Sequence, residues 1–159
     1  MEKQAFQDLI PDNFCYGCGP GNSQGLRLKS YWEGELSVAT FSPQPFHAAG
    51  PRHVLNGGII ATIIDCHCIC TAIADAYRRQ QRAIGSEPGI WYATASLHID
   101  YLRPAPIRQA VTMHARILDA GPKKTRLSCV LSDGSEEYAK AEVLAVRVSD
   151  AWRQGDARM

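Results

Sequence analysis

An excess of charge of either sign is missing from this chain, where 17 lysines and arginines face 16 aspartates and glutamates. The basic residues gather in little more than pairs such as Arg78-Arg79 and Lys123-Lys124, which excludes the basic stripe that nucleic-acid binding needs. Met1 to Asp12 lacks the basic start, apolar run and small-residue cleavage site of an export signal. It reads instead as a short amphipathic turn around Phe6, Leu9 and Ile10. A long uninterrupted apolar run is missing too. The best candidate, from about Gly57 to Ala74, carries Asp65 and His67 near its middle, as a core helix does and a membrane span seldom does. The expectation is a soluble cytoplasmic protein that contacts neither membrane nor nucleic acid. No composition shift marks a linker, and 159 residues suffice for one domain with a sizeable core. That domain is read as 1–159, with an irregular lead-in over 1–24 and a polar tail over 149–159 that frays.

Cysteine is not scarce, but a disulfide framework is not expected from it. Cys15, Cys18, Cys66, Cys68, Cys70 and Cys129 sit in a chain with a core of its own, so reduced, packed thiols are the reading. Cys15-x-x-Cys18 has no second matching pair, and of the trio that follows only Cys66 and Cys70, at i and i+4, share a side of a helix. No metal and no cofactor are assigned.

What is present is a clear order of elements. Phe14 to Gly25, dense in Gly, Cys, Pro and Asn, reads as a loop. Leu26 to Trp32 alternates, Glu33-Gly34-Glu35 turns, and Leu36 to Phe41 returns as a hairpin strand. Pro43, Pro45 and Pro51 keep the chain irregular up to Asn56, which suits a helix N-cap. From Gly57 to about Tyr77 there is no proline, and apolar residues almost encircle the axis, which predicts a helix buried on every side. Arg78 to Arg82 end it in solvent.

Strands are expected over Trp91 to Leu102, Ala110 to Ala120, Thr125 to Leu131 and Glu137 to Val148. Strict alternation in the first puts Trp91, Ala93, Ala95, Leu97, Ile99 and Tyr101 against the helix, and turns Tyr92, Thr94, Ser96, His98 and Asp100 away. Two strands, one helix and four strands, with no βαβ alternation, give an α+β fold with an antiparallel sheet. Only a curved sheet can cover one helix on every side.

Asp65 is the odd residue of that helix. Full burial raises a carboxylate pKa by as much as roughly 3–5 units, so such a group needs a partner or a task. Pairing with His67 or a backbone group would be the structural alternative, although His67, two residues on along a helix, points about 200° away. At the helix start, Gly57 and Gly58 leave amides unpaired and unobstructed.

Two motifs then carry a resemblance: Asn56-Gly57-Gly58 with Asp65 nine residues after Asn56, and Thr94-Ala95-Ser96-Leu97-His98-Ile99-Asp100-Tyr101-Leu102-Arg103-Pro104. With the lead-in Phe14-Cys15-Tyr16-Gly17-Cys18-Gly19 they resemble the hotdog-fold acyl-CoA thioesterases, most closely the phenylacetate-pathway branch, over residues 14 to 148. The resemblance implies a curved antiparallel sheet wrapped around one long central helix, and hydrolysis of a CoA thioester to free acid and CoA. It makes Asp65 the nucleophile or the general base, both readings staying open, and makes the Gly57 and Gly58 amides the oxyanion donors. Thr94 would orient the carboxylate or a water, and needs a bulge or a dimer contact to reach it. The family usually has His where this chain has Asn56, which can cap and donate but cannot titrate.

His47 and His53 either meet substrate or hold the loop before the helix, the loop role being favoured. Arg103, Lys123 and Lys124 would meet the CoA phosphates, unless they are solvated turn charges. Eight residues separate Gly57 from Asp65, about 12 Å along a helix axis, too far to touch one carbonyl. A two-fold homodimer with antiparallel helices, alone or as a dimer of dimers, would bring each helix start to the other chain's Asp65. The rival readings are a non-catalytic acyl-CoA or fatty-acid binding module, a hotdog enoyl-CoA hydratase, which matches less well, and a cysteine-based metal or redox protein.

Overall fold

The computed structural model describes residues 3–156. A short helix α1 (Phe6–Leu9) is followed by an irregular lead-in, strands β1 (Ser30–Glu33) and β2 (Leu36–Phe41), and one 3-10 turn over Pro45–His47. The long helix α2 (Gly57–Arg79) comes next, then β3 (Trp91–Tyr101), β4 (Val111–Ala120), β5 (Lys124–Ser132) and β6 (Glu137–Val148). The segment read as a tail carries one helical turn, α3 (Asp150–Arg153), capped by the Ser149 hydroxyl; the end of that reading, 157–159, and its start at 1–2 in the lead-in lie outside the described residues.

The strands form one antiparallel sheet in the order β1-β2-β4-β5-β6-β3. This is the expected hotdog arrangement, with the sheet curled over α2. Alternate residues of the central strands supply the inner face: Met113 on β4, Leu127 and Leu131 on β5, Val143 on β6, each at most 2% exposed. They meet Ile60, Ile63, Ile64 and Ile73 of α2, which are equally buried. Each such side chain is worth about 1.5–3 kcal/mol of burial, so the helix is held by packing rather than by intrinsic propensity. Its length and composition would allow a membrane crossing, yet most of its apolar window is buried inside this fold.

Three expectations need correction. β1 does not begin at Leu26: the Leu26 and Leu28 amides donate to Tyr16 and Gly17 carbonyls, and Arg27 has φ +55°. Residues 26–29 are therefore tied to the lead-in rather than to β2. α2 is not buried on every side either. Gly58 is exposed, and Thr62, Asp65 and Ile69 are half-buried, so a stripe at helical spacing stays uncovered within one chain. Finally, β3 does not alternate strictly. Its pairing with β6 shifts between Thr94 and Ser96, and this bulge at Ala95 exchanges the two faces. Tyr92 and Thr94 turn inward before it, Leu97 and Ile99 after it.

Candidate active site

The start of α2 is built by its cap. Asn56 takes extended backbone angles and its Oδ1 accepts the Gly58 amide at 2.7 Å and the Ile59 amide at 3.2 Å. Gly58 is thereby corrected as a free donor: its N–H is engaged by Asn56. Among the described residues no group accepts the Gly57 N–H, so Gly57 holds the available amide. The two glycines differ in a second way. A Cβ on Gly58 would lie 3.0 Å from Asn56 Oδ1 and disturb the cap, whereas one on Gly57 would meet only the Tyr101 ring at ordinary contact, 3.5 Å. Packing within the chain thus explains Gly58 and leaves Gly57 unexplained.

Tyr101 is a residue that sequence reasoning passed over here. Its hydroxyl donates to the Gly57 carbonyl at 2.7 Å, which pins the end of β3 to the first turn of α2. Only its place within the Thr94 to Pro104 motif could have drawn attention to it. The Gly57 end opens on a cavity of about 380 Å³ lined in part by Tyr101, Leu102 and Arg103.

His47 is the loop residue rather than a free ligand. It is buried at 8% exposure, its Nδ1 accepts the Gln44 amide at 3.0 Å, and its carbonyl accepts the Asn56 amide at 2.9 Å. Burial pushes its pKa down from the ordinary value. His53 is exposed and contributes its carbonyl to the Ile107 amide.

Asp65 sits elsewhere, against a separate cavity of about 200 Å³ that Thr94, Trp91, Ile69 and Cys66 help to line. The bulge in β3 turns Thr94 toward it, and the Thr94 hydroxyl donates to Asp65 Oδ1 at 2.5 Å. Among the described residues Asp65 has no basic partner and no bond to His67. Burial raises the Asp65 pKa, and the Thr94 hydrogen bond partly opposes the rise. A second carboxylate on the same helix shows the contrast. Asp75, 4% exposed, is held by Arg78 at 3.0 Å and Arg79 at 2.8 Å, as a structural carboxylate should be. The paired-carboxylate alternative therefore describes Asp75 and not Asp65.

His67 is a core residue. It is fully buried, with Nδ1 at 2.8 Å from Ser30 Oγ and Nε2 at 3.2 Å from Ser37 Oγ, and burial brings its pKa down to about 4.

The three basic candidates do not meet within one chain. Arg103 lies at the Gly57 end, with Nη1 2.6 Å from Glu136 Oε2. Lys123 and Lys124 are exposed at the opposite end, where Lys124 faces Val146 and Val146 faces Ala93.

The cysteines are not scattered. The lead-in folds Cys15 and Cys18 onto α2 beside Cys66 and Cys70, while Cys68 turns to Cys129. No sequence spacing could show this, because the loop and the helix are joined only by tertiary packing.

Residues 53–140 match the model of the Thioesterase superfamily. A thioesterase superfamily protein from Shewanella loihica PV-4 is 34% identical, with 77% of this chain and 91% of that one covered and a TM-score of 0.63. The Escherichia coli PaaI protein of the phenylacetic acid degradation operon is 14% identical over 78% of this chain and 81% of its own, at TM-score 0.63. A Streptococcus mutans protein bound to acetyl-CoA is 15% identical over 77% and 89%, at TM-score 0.61. The latter two likenesses show the fold alone. No curated protein matches the chain.

Proposed function

The chain belongs to the thioesterase superfamily, and from that premise we propose that it is a cytoplasmic acyl-CoA thioesterase working at composite sites between two copies of itself. The observation that carries this reading is the separation of the two chemical groups: Asp65 lines one cavity and Gly57 another. Neither half can hydrolyse a thioester alone. A carboxylate without donors leaves the developing oxyanion bare, and a donor without a carboxylate lacks the nucleophile or base.

An antiparallel two-fold pairing would set the Gly57 amide of one copy over the carbonyl that Asp65 of the other addresses. The uncovered stripe of α2, and the free edge of the 11-residue β3, support such a pairing. Exposed strand edges are otherwise a liability. The same pairing would bring Arg103 of one copy toward Lys123 and Lys124 of the other, on the side where CoA phosphates would lie. Acetyl-CoA in the Streptococcus mutans relative supports a CoA substrate.

In this mechanism the helix start polarises the thioester carbonyl, its dipole adding to the Gly57 hydrogen bond. Asp65, oriented by Thr94, attacks the carbonyl carbon or takes a proton from an attacking water. The tetrahedral intermediate collapses with departure of the CoA thiolate, which leaves the free acid in the water route and, in the nucleophile route, an aspartyl anhydride that water then hydrolyses to free acid and Asp65. The site walls near Asp65, including Trp91 and Ile69, are apolar and would receive the acyl group.

The test is release of free CoA thiol from short, long and aromatic acyl-CoAs by wild type and Asp65→Asn. The expected result is turnover by wild type on at least one class and a loss of at least about 10² in the variant. Binding without turnover by wild type would instead establish a binding module.

A further inference from the structure

We propose that Cys15, Cys18, Cys66 and Cys70 form a tetrathiolate zinc site that clamps the lead-in loop to α2 at the wall of the Asp65 cavity. The four come as two close pairs, one residue of each pair from the loop and one from the helix. Cys15 Sγ lies 3.6 Å from Cys66 Sγ, and Cys18 Sγ 3.7 Å from Cys70 Sγ. The sulfurs of Cys15, Cys18 and Cys66 all fall within 4.8 Å of one another. Four thiolates around a tetrahedral zinc with bonds of about 2.3 Å stand about 3.8 Å apart. The Cys15–Cys66 and Cys18–Cys70 contacts match that spacing, while Cys70 lies outside the 4.8 Å group and would turn toward it on binding. A disulfide would need about 2.05 Å between sulfurs, and no cysteine pair is bonded.

The ligand order also suits a metal. Cys15-x-x-Cys18 is a short-loop pair, and Cys66-x-x-x-Cys70 presents two thiols one helical turn apart on one side of α2. The backbone is shaped for close approach of these sulfurs. A Cβ on Gly17 would fall 2.2 Å from Cys66 Sγ, and one on Gly19 would strike the Cys15 amide at 2.4 Å. Only glycine lets the loop wrap this tightly, and Gly19 closes it by donating to the Cys15 carbonyl at 2.8 Å.

Zinc binding would displace the thiol protons, which leave to solvent. Cys18, Cys66 and Cys70 are at most 6% exposed, so the ion would be nearly enclosed. A closed four-sulfur site keeps no position for water and is structural rather than catalytic. Its work would be to fix the loop beside Asp65, since all four cysteines line that cavity.

The readout is metal content, which stands or falls independently of thioesterase activity. Full-length chain purified under reducing conditions from zinc-supplemented cells is expected to carry about one zinc per chain. Cobalt substituted into it should give the thiolate charge-transfer and tetrahedral visible bands of a four-sulfur site. Cys18→Ser and Cys70→Ser should lose most of the metal, while Cys68→Ala and Cys129→Ala keep it. If the serine variants do not fold, the cobalt spectrum of the wild-type chain decides. Absence of stoichiometric metal after reconstitution would overturn the site. So would retention of zinc by Cys18→Ser and Cys70→Ser, stoichiometric iron in place of zinc, or a Cys15–Cys66 disulfide found by mass in the freshly purified chain.

Discussion

The Thr94 hydroxyl and the Asp65 carboxylate meet at 2.5 Å because β3 carries one extra residue between them and the rest of the strand. A regular strand would have turned Thr94 to the outer face. The bulge re-aims one hydroxyl, and that hydroxyl is the polar partner that Asp65 has among the described residues.

Thr94→Val keeps the shape of this contact and removes its proton. The hydrogen bond holds down a carboxylate pKa that burial has raised, so its loss should raise that pKa further. A group that works as the anion is lost as pH falls through its pKa, so the acid limb of kcat/KM should move to higher pH. With a charge-assisted bond worth about 1.5–3 kcal/mol, kcat should drop by about tenfold to a hundredfold. Thr94→Ser should restore both. An unmoved acid limb in the valine variant would remove Thr94 from the mechanism.

The helix start offers a cleaner deletion than alanine would. Gly57 is the first residue of α2, a position where proline is at home, and Asn56 already has the ψ of 131° that a residue before proline requires. Gly57→Pro should therefore delete the one available amide and leave the helix standing. Turnover is expected to fall by roughly 10²–10³ with the thermal midpoint little changed. Unaltered kcat in a folded variant would move the oxyanion site elsewhere.

His67 ties stability to pH. Burial lowers its pKa to about 4 from an ordinary 6.5, so it stays neutral in the fold where the unfolded chain would be protonated. The unfolded state then binds more protons between those values. The contribution, on the order of 3 kcal/mol, is present above about pH 6.5 and is lost as pH falls toward 4. Urea midpoints should fall between pH 7 and pH 4.5, and His67→Gln should flatten that part of the slope. A wild-type midpoint that holds constant across the window would contradict this.

Much of this fold could be read along the chain, for local reasons. Asn56 announces the helix start by its chemistry, and the bounds of β2 and β6 follow from hydrophobic patterning. Other features could not be read because they depend on residues far apart. A period of two cannot locate an inserted residue, so the bulge that Thr94 needs to reach Asp65 could be named only beside a dimer contact as the alternative, and its place at Ala95 came from the strand pairing. Leu26 to Lys29 alternate like a strand but pair with Tyr16 and Gly17. Cys15 and Cys66, 51 residues apart, meet only when the loop lies on the helix. The glycine pair was legible as a motif, yet the separate fates of Gly57 and Gly58 needed the geometry of the Asn56 cap.

The central claim is that one site takes its carboxylate and its amide from different copies, and subunit complementation tests it directly. Asp65→Asn and Gly57→Pro, each nearly inactive by itself, would be refolded together or co-expressed with different tags, and the mixed dimer isolated. One of its two sites then carries both lesions and the other carries neither. The composite arrangement requires thiol release to recover to about half the wild-type rate per dimer. A mixed dimer as inactive as its parents would show that Asp65 and Gly57 serve the same site within one chain.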